Sequence, residues 1–458
     1  MKKKYIYTIA ILMVIVVAAG TLLTIFPRFS FCRSVSNSGY DESLYEGIFD
    51  RSDLSSPKMY LTAEASKVIS IEQIRKMGLE PVLFNALFEI QQIPESSMLI
   101  IHVNDLWSAN KDKPGSALEQ LDKLLINTKK FVIMILNPDR DAEKGYLASG
   151  IIEKIFAKKN IRLVLPSQPP DIPIGKKEGG VVGQVIPLDK RLFTAEALVY
   201  STDPNGLIVV EKLVDVPQII LLSIKWGGLS ENPEIDRVLG SSTITSQEDA
   251  TFFGYVGWYT ASLDDGVPVG TSYVKVEYYQ SKKFNYNAVF AHLTHVAKGY
   301  RTTCCWSVFC WPKDHYPSEF ITSTNWNTSV YPGQVLANWE PKNVGSASTI
   351  NCTIAWGATI SVRYSIPITT QPTPYYEWYD MTDPAAGIVK TKHILRLPQN
   401  YDTSKLNGVA FTVEPISVGF LDPNKPGGVP PFEISHEFLT TFNTGHKIHI
   451  VIHVYLYV

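Results

Sequence analysis

The hydrophobic positions follow three patterns in turn, and the first is an uncharged apolar run at residues 5–26. A bilayer core about 30 Å thick requires about 20 helical residues. The 22 residues of this run therefore predict a transmembrane helix. Three lysines precede the run, which favours a cytoplasmic position for residues 1–4 and an extracytoplasmic position for the rest. A signal peptide cleaved near Ala18-Ala19-Gly20 is the alternative.

The second pattern follows a serine-rich stretch, residues 27–58, that predicts a flexible stalk. Continuous apolar runs here alternate with segments of helical spacing. The runs predict strands at 98–103, 131–136 and 161–166, and the spaced segments predict helices at 116–125 and 145–159. Strands that are apolar on both faces and alternate with helices are typical of a parallel sheet between helices. We therefore expect a small three-layer α/β domain at residues 59–175.

The third pattern begins near residue 179, where helical periodicity nearly vanishes. Alternating apolar and polar positions are separated by turn sequences, as in the hairpin patterns of 196–214 and 263–280. This pattern predicts mainly antiparallel β structure, as one or two β-sandwich or jelly-roll domains. Residues 179–245 would form a β-rich domain or the first part of a sandwich, and residues 250–458 would form the sandwich or jelly roll.

The last strand of the chain, residues 446–458, shows the alternation most clearly. Its even positions are all aliphatic, whereas its odd positions carry histidine and tyrosine. Because side chains alternate faces, one face should be core. His449 and His453 are four residues apart, which places their Cα atoms about 13 Å apart in a strand. They cannot share one metal ion, so this strand is predicted to be structural.

Composition and charge exclude some classes of function. Hydrophobic residues make up 45% of the chain and charged residues only 19%, with a formal net charge of −2. This composition indicates a folded protein of low charge. Outside the N-terminus there is no long basic run, so we expect no nucleic-acid partner.

Cysteine and histidine raise the question of disulfides or a metal. The disulfide candidates are Cys304, Cys305, Cys310 and Cys352. Adjacent cysteines seldom bridge each other, so one of the first two should pair with Cys352 and the other with Cys310. Zinc or copper binding would use His292, His295, Cys310 and His315. Their spacing fits no usual ligand pattern, so we expect no metal and no cofactor.

Three further groups of residues are candidates for surface chemistry. Two sequons mark Asn327 and Asn351 as glycosylation candidates. Aromatic platforms bind sugars or proteins, which makes Trp311, Trp326 and Trp339 candidates for ligand binding. The polar loop after the second apolar run could also hold a ligand, or could be an ordinary capped loop, through Asn137, Asp139, Arg140 and Asp141.

No complete catalytic motif occurs in the sequence, so a non-enzymatic role is favoured and no catalytic residue is assigned. We expect a membrane-anchored extracytoplasmic surface protein with a structural, assembly or binding role, held in the lipid bilayer by residues 5–26. Its partners would be other surface proteins or copies of itself, or glycans. The alternatives are an extracytoplasmic glycan-active enzyme or carbohydrate-binding protein, a virion surface or capsid-associated membrane protein, and an extracytoplasmic zinc or copper protein.

Overall fold

The computed structural model describes most of the chain beyond residue 41. The described residues are 31–32, 42–50, 56–85, 93–166, 190–240, 245–247, 250–281, 288–306, 309–368 and 371–457. They form mainly β-sheets with few helices, as the alternating pattern predicts. The predicted anchor at 5–26 lies outside the described residues. Among the residues that are described, no helix is both long and apolar enough to cross a membrane.

The elements follow one another in this order along the chain. The strands are β1 (Phe31–Cys32), β2 (Lys58–Thr62), β3 (Pro81–Phe84), β4 (Ser97–His102), β5 (Phe131–Leu136), β6 (Ala197–Thr202), β7 (Asn205–Val210), β8 (Thr245–Gln247), β9 (Ala250–Asp264), β10 (Val267–Ser281), β11 (Ala288–Gly299), β12 (Arg301–Trp306), β13 (Phe309–Asp314), β14 (Pro317–Asn325), β15 (Gln334–Glu340), β16 (Val344–Ala347), β17 (Thr349–Ala355), β18 (Thr359–Ser365), β19 (Tyr375–Asp380), β20 (Ile388–Arg396), β21 (Ala410–Val413), β22 (Ile416–Leu421), β23 (Phe432–Phe442) and β24 (Lys447–Leu456). The α-helices are α1 (Ile71–Lys76), α2 (Val103–Asp112), α3 (Ser116–Leu124), α4 (Ala142–Lys158), α5 (Lys190–Phe193), α6 (Val216–Trp226) and α7 (Pro233–Leu239). Short 3-10 helices lie at Glu42–Tyr45, Ala65–Lys67 and Thr403–Leu406.

One sheet of 12 strands runs through the molecule, in the order β15-β22-β11-β10-β9-β7-β6-β5-β4-β2-β3, and β21 also pairs with β11. The four strands at one end of this order, β5, β4, β2 and β3, are parallel to one another. Beyond them β7 pairs with β9 in parallel, and β9, β10 and β11 follow as long antiparallel strands. The boundaries expected near residues 179 and 250 therefore do not separate two sheets.

Helices cover both faces of the parallel end of this long sheet. Residues of α2, α3 and α4 pack in one core, and residues of α1, α6 and α7 pack in another on the opposite face. This double cover explains why every residue of β4 and of β5 is buried. The apolar runs predicted to be buried strands at 98–103 and 131–136 are confirmed in this way.

Two local expectations were wrong. Residues 161–166 form no sheet strand, only an isolated bridge from Pro166 to Val454. Proline has no N–H group to donate to a ladder, which limits such a segment to a sheet edge. The helices α6 and α7 lie in the part of the sequence where helical periodicity nearly vanishes. Nine of the 11 residues of α6 are buried, so the helix has no polar face from which its period could be recognised.

A second sheet of six strands, here called the outer sheet, has the order β16-β19-β20-β14-β23-β24. Along β24 the buried positions alternate strictly with more exposed ones. Ile448, Ile450 and Ile452 lie in the core shared with the long sheet. His449 lies on the opposite face, 2.8 Å from Glu437. The predicted division of this strand into a core face and a polar face is confirmed.

The outer edge of β24 is covered. Arg191 donates to the carbonyl of Val451 at 2.7 Å, and Arg162 donates to that of Tyr457 at 3.1 Å. Pro166 bridges the same edge between these two contacts. An edge with its backbone groups occupied cannot easily pair with another chain. The outer edge of β24 is therefore not open for pairing with a strand of another chain.

Three buried histidines bond to hydroxyl groups on neighbouring strands. One of these partners, Tyr364, lies on β18 in a separate sheet with the order β17-β18-β8. His295 lies 2.8 Å from the Thr440 hydroxyl, and His393 lies 2.8 Å from the Tyr364 hydroxyl. The two ring nitrogens of His436 contact the hydroxyls of Tyr278 and Thr324. Burial lowers the pKa of His295, His393 and His436 to about 3 in each case. These rings are therefore neutral at physiological pH.

Acid should destabilise the fold through these three rings. Their folded pKa lies below the ordinary value of 6.5, so the unfolded chain binds more protons in the window between pH 6.5 and about 3. Each histidine contributes stability that is complete above pH 6.5 and decreases by about 1.4 kcal/mol per pH unit below it. We expect the unfolding temperature to fall between pH 7.5 and pH 5, and to fall less steeply in His436→Gln.

The matched control for this experiment is His449→Gln, because the His449 side chain is 52% exposed. It should keep the pH dependence of the wild type. A His436→Gln variant whose unfolding temperature fell with pH as steeply as that of the wild type would contradict the assignment of acid sensitivity to the buried rings.

Candidate functional site

The connecting segments at one end of the outer sheet form the candidate binding site. Because neighbouring strands are antiparallel, the ends of β14, β19 and β24 meet the starts of β16, β20 and β23. We call this region the loop end. It comprises residues 326–333, 341–344, 381–387 and 422–431, together with Tyr457.

The loop end exposes a concentration of large apolar side chains. Twelve large hydrophobic residues are exposed among the described residues, and five belong to this one end of the sheet. They are Val330 (49%), Val344 (66%), Met381 (51%), Val429 (58%) and Tyr457 (47%). A group of exposed apolar residues of this kind marks an interaction site more often than single scattered ones do.

Buried amides hold two of these segments together. The Gln334 side chain donates to the carbonyls of Trp326 and Glu433, at 2.5 and 2.9 Å, and its oxygen accepts the Glu433 N–H at 2.7 Å. Gly333 lies close to Gly428, because a Cβ added to Gly333 would lie 2.1 Å from the backbone nitrogen of Gly428. Val330 and Val429 therefore project from two segments that are held together, which reduces the entropy lost on binding.

The carboxylates of the loop end are used inside the loops. Asp383 accepts the N–H groups of Ala385 and Ala386, each at 3.1 Å. Asp380 accepts the Trp339 indole N–H and the Thr382 N–H, both at 3.0 Å. These bonds fix the turns that lie beside the exposed apolar side chains.

Ionisation at the loop end is suppressed at Tyr331. Burial and a hydrogen bond with Glu433 raise the pKa of its phenol to about 12. Burial and the charge of Glu433 also raise the pKa of Tyr455, on the last strand. Both phenols stay protonated at neutral pH, so they contribute no charge to this end of the sheet.

The three candidate tryptophans do not form one surface. Trp326 is fully buried, its indole donates to Ser417 at 3.2 Å, and its ring lies against Gly419. As a binding residue it was predicted wrongly, because no ligand can reach the ring. Trp339 is half-buried, and the Lys342 ammonium lies 4.8 Å from its ring centroid. Trp311 is 44% exposed in another sheet, of β1, β12 and β13.

The polar loop after β5 is mainly structural. The Asn137 side chain bonds to the backbone of Asp141 and of Phe193, and Asp141 caps α4 by accepting the N–H groups of Glu143 and Lys144. Arg140 donates to the Glu211 carbonyl at 2.9 Å. These three candidates therefore act as loop and cap residues.

Asp139, the fourth candidate, is exposed near His102 at the carboxyl ends of the parallel strands. His102 was not identified from the sequence, although it ends the apolar run of β4. Burial lowers its pKa, while Asp105, Glu64 and Asp139 oppose that shift. Its Nδ1 accepts the Asn104 N–H at 3.1 Å, so the ring caps α2 as a neutral side chain.

The cysteines are divided between two sheets. Cys304 and Cys310 are disulfide-bonded, and the strand register places them opposite Cys32 and Cys305 respectively. Cys352 is a free, buried thiol on β17, so the expected bridge to Cys352 is wrong. Burial raises the pKa of this thiol to about 12, which makes it unreactive at neutral pH.

The histidines of the metal hypothesis have separate partners. His292 and His295 are three residues apart on β11, so they point to opposite faces. His292 contacts Glu277 at 2.9 Å, whereas His315 contacts the hydroxyls of Thr302 and Thr444. Within the part of the chain that the structure describes, no three metal-ligating residues come together.

The two sequons differ in accessibility. Asn351 points outward from β17 as an exposed residue. The Asn327 amide donates to the carbonyl of Glu433 at 3.1 Å, in a backbone conformation with φ of 48°. Attachment of a glycan to Asn327 would require this contact to break.

The sequence and fold were compared with known proteins. No family model and no curated protein matches the sequence. Among solved structures, the delta-toxin of Clostridium perfringens aligns with a TM-score of 0.29 and 11% identity, and a protein described as a pore forming protein with 0.28 and 10%. The Clostridium perfringens NetB toxin in its membrane-inserted form aligns with 0.22 and 10%. Each alignment covers 46% of this chain, and 89%, 91% and 92% of the other chains. Likeness at this level supports no conclusion about this protein.

Replacement of each tryptophan by alanine should affect stability differently at the buried and at the exposed position. Trp326→Ala removes a fully buried ring and should reduce the free energy of unfolding by about 3–5 kcal/mol. Trp311→Ala, at a 44% exposed position, should have a much smaller effect. Denaturant titration measures both. Equal losses of stability in the two variants would contradict the placement of Trp326.

Glycosylation in a secretory host should occur at Asn351. We expect Asn351→Gln to abolish the shift in gel mobility that a glycosidase reverses, because this side chain is free of the contacts that hold Asn327. Asn327→Gln is the matched control and should keep the shift. A glycan found only on Asn327 by peptide mapping would refute the expectation.

Proposed function

We propose that the chain is a membrane-anchored surface protein of a cell or virion that binds another protein through the loop end. The two packed sheets act as a β-sandwich scaffold. Residues 5–26 anchor the chain in the bilayer, and residues 27–58 act as the stalk between the anchor and the folded part. The function is binding or assembly rather than catalysis.

The location outside the cytoplasm is supported by two independent features. The apolar run at the N-terminus is long enough to span a bilayer. Disulfide-bonded cysteines, here Cys304 and Cys310, are typical of oxidising compartments.

The observation that carries the binding role is the concentration of five exposed apolar side chains at one end of the outer sheet. Elsewhere on the outer sheet, charged residues pair with each other, as Glu319 does with Lys392 and Glu377 does with Arg396. That face therefore resembles an ordinary solvated surface. The loop end combines exposed aliphatic and methionine side chains with hydrogen-bonded turns, a combination suited to the apolar centre of a protein interface.

A protein partner fits the loop end better than a glycan does. Sugars stack on exposed aromatic rings, and Tyr457 is the one aromatic member of the exposed group of five. Trp326, which was to contribute to a sugar platform, lies in the core. Aliphatic side chains offer dispersion and desolvation but no ring face, so they favour an apolar protein surface.

Site-specific photocrosslinking tests the proposal on the full chain in its own membrane. A photoreactive phenylalanine analogue at Met381 should give a discrete protein adduct on illumination. The matched control places the same analogue at Tyr146, which is 66% exposed on α4. It should give none. Adding Val344→Asp should reduce the yield of the Met381 adduct at least about tenfold, because it buries a charge in the interface.

Each outcome of this experiment bears on the proposal. An adduct with a second copy of the chain supports self-assembly through the loop end, and an adduct with a different protein supports a heterologous partner. Adducts with lipid alone, no adduct at all, or equal adducts from both positions would overturn the proposal.

A further inference from the structure

A lysine and an aspartate meet in the interior, far from the loop end. Lys298 lies near the end of β11, and Asp215 directly precedes α6. Both side chains are 0% exposed, and Lys298 Nζ lies 3.3 Å from Asp215 Oδ2. The two residues are 83 positions apart in the chain.

Two phenols converge on the same carboxylate oxygen. The hydroxyls of Tyr45 and Tyr300 donate to Asp215 Oδ2 at 2.6 and 2.8 Å. Tyr45 also contacts Lys298 Nζ, so its hydroxyl touches both members of the pair. The other carboxylate oxygen, Oδ1, accepts the N–H of Gln218 at 3.4 Å. Burial, followed by the charge of Asp215, raises the pKa of both phenols, so they remain proton donors.

An amide in this position would remove two buried charges. Burying an ammonium and a carboxylate is costly, and their mutual attraction recovers the cost only in part. A lysine amine that has given up one proton is a nucleophile. The two phenols already donate to Asp215 Oδ2, the oxygen on which negative charge develops when Cγ is attacked.

We propose that Lys298 and Asp215 condense to form an intramolecular amide bond with release of one water. Nζ gives its first proton to Oδ1 and attacks Cγ, and negative charge develops on Oδ2, where the two phenols donate. A second proton passes from Nζ to Oδ1, which leaves as water. One C–N bond forms and one C–O bond breaks, and neither an oxidant nor a cofactor is required. Fixed positions in the core supply the proximity that such a reaction needs.

A second lysine and carboxylate, Lys275 and Glu277, provide an internal comparison. Their atoms lie 2.9 Å apart, and their side chains are 14% and 11% exposed. Burial alone would raise the pKa of Glu277, but Lys275 and the hydrogen bond from His292 lower it to about 2. This carboxylate stays ionised and should not condense.

Mass spectrometry of the full chain tests the proposal directly. After reduction of its disulfides, the wild-type chain should be lighter than its sequence mass by one water. Trypsin should fail to cleave after Lys298, so that residues 213–225 and 284–301 appear as one branched peptide. Cleavage after Lys275 should proceed normally. A chain of full sequence mass that is cleaved after Lys298 would overturn the proposal.

Three variants identify the atoms involved. Lys298→Arg keeps the positive charge but lacks the nucleophilic amine, so the missing water should reappear in its mass. Lys275→Arg is the matched control and should still lose one water relative to its own sequence. Tyr45→Phe should slow condensation about a hundredfold, measured as uncondensed chain over time after refolding. Undiminished condensation in Tyr45→Phe would exclude the phenol from the reaction. If Lys298→Arg fails to fold, the wild-type mass and peptide map still decide.

Discussion

The parallel pairing of β7 with β9 is the contact on which the rest of the architecture depends. It aligns Gly206–Val210 with Tyr255–Tyr259. It joins the half of the sheet that contains the parallel strands, through the hairpin of β6 and β7, to the long antiparallel strands. Two glycines make this join possible. A Cβ on Gly206 would lie 2.2 Å from the Tyr255 ring, and one on Gly257 would lie 2.9 Å from the Trp226 ring. With these rings packed against the backbone, one continuous sheet is covered by helices at its parallel end and by the outer sheet elsewhere.

The buried group of Asp215, Lys298, Tyr45 and Tyr300 includes a residue that is close in sequence to β7. This group connects segments of the chain that the long sheet does not join. Asp215 follows β7 and begins α6 in a left-handed backbone conformation, with φ of 57°. Its carboxylate meets Lys298 from β11, Tyr45 from the first 3-10 helix, and Tyr300. These contacts fix the start of α6 against the sheet. A change to one partner alone would leave a buried group without its counterpart.

The outer sheet places its apolar side chains in two distinct settings. Its inner face packs against the long sheet and also holds His393 and His436, which burial keeps neutral. Its outer face has paired charges, and the edge of β24 is closed by Arg191 and Arg162. The exposed apolar residues at the loop end are therefore not a consequence of incomplete packing. They project from turns that hydrogen bonds already hold, which is why a binding role fits them.

The sequence by itself determined the mainly β composition, the buried strands β4 and β5, the helices α3 and α4, and the two faces of β24, because each depends on a periodicity within a few residues. Tertiary structure decided the rest. The β7–β9 pairing joins segments that are distant in sequence, so no local pattern of residues predicts it. The helix α6 is buried on nearly all sides, so its sequence has no alternation of apolar and polar residues at helical spacing. Trp326 is of a residue type that often binds ligands, but it lies in the core. The loop end is assembled from four separate connections, and only folding brings isolated apolar residues from each of them to one place.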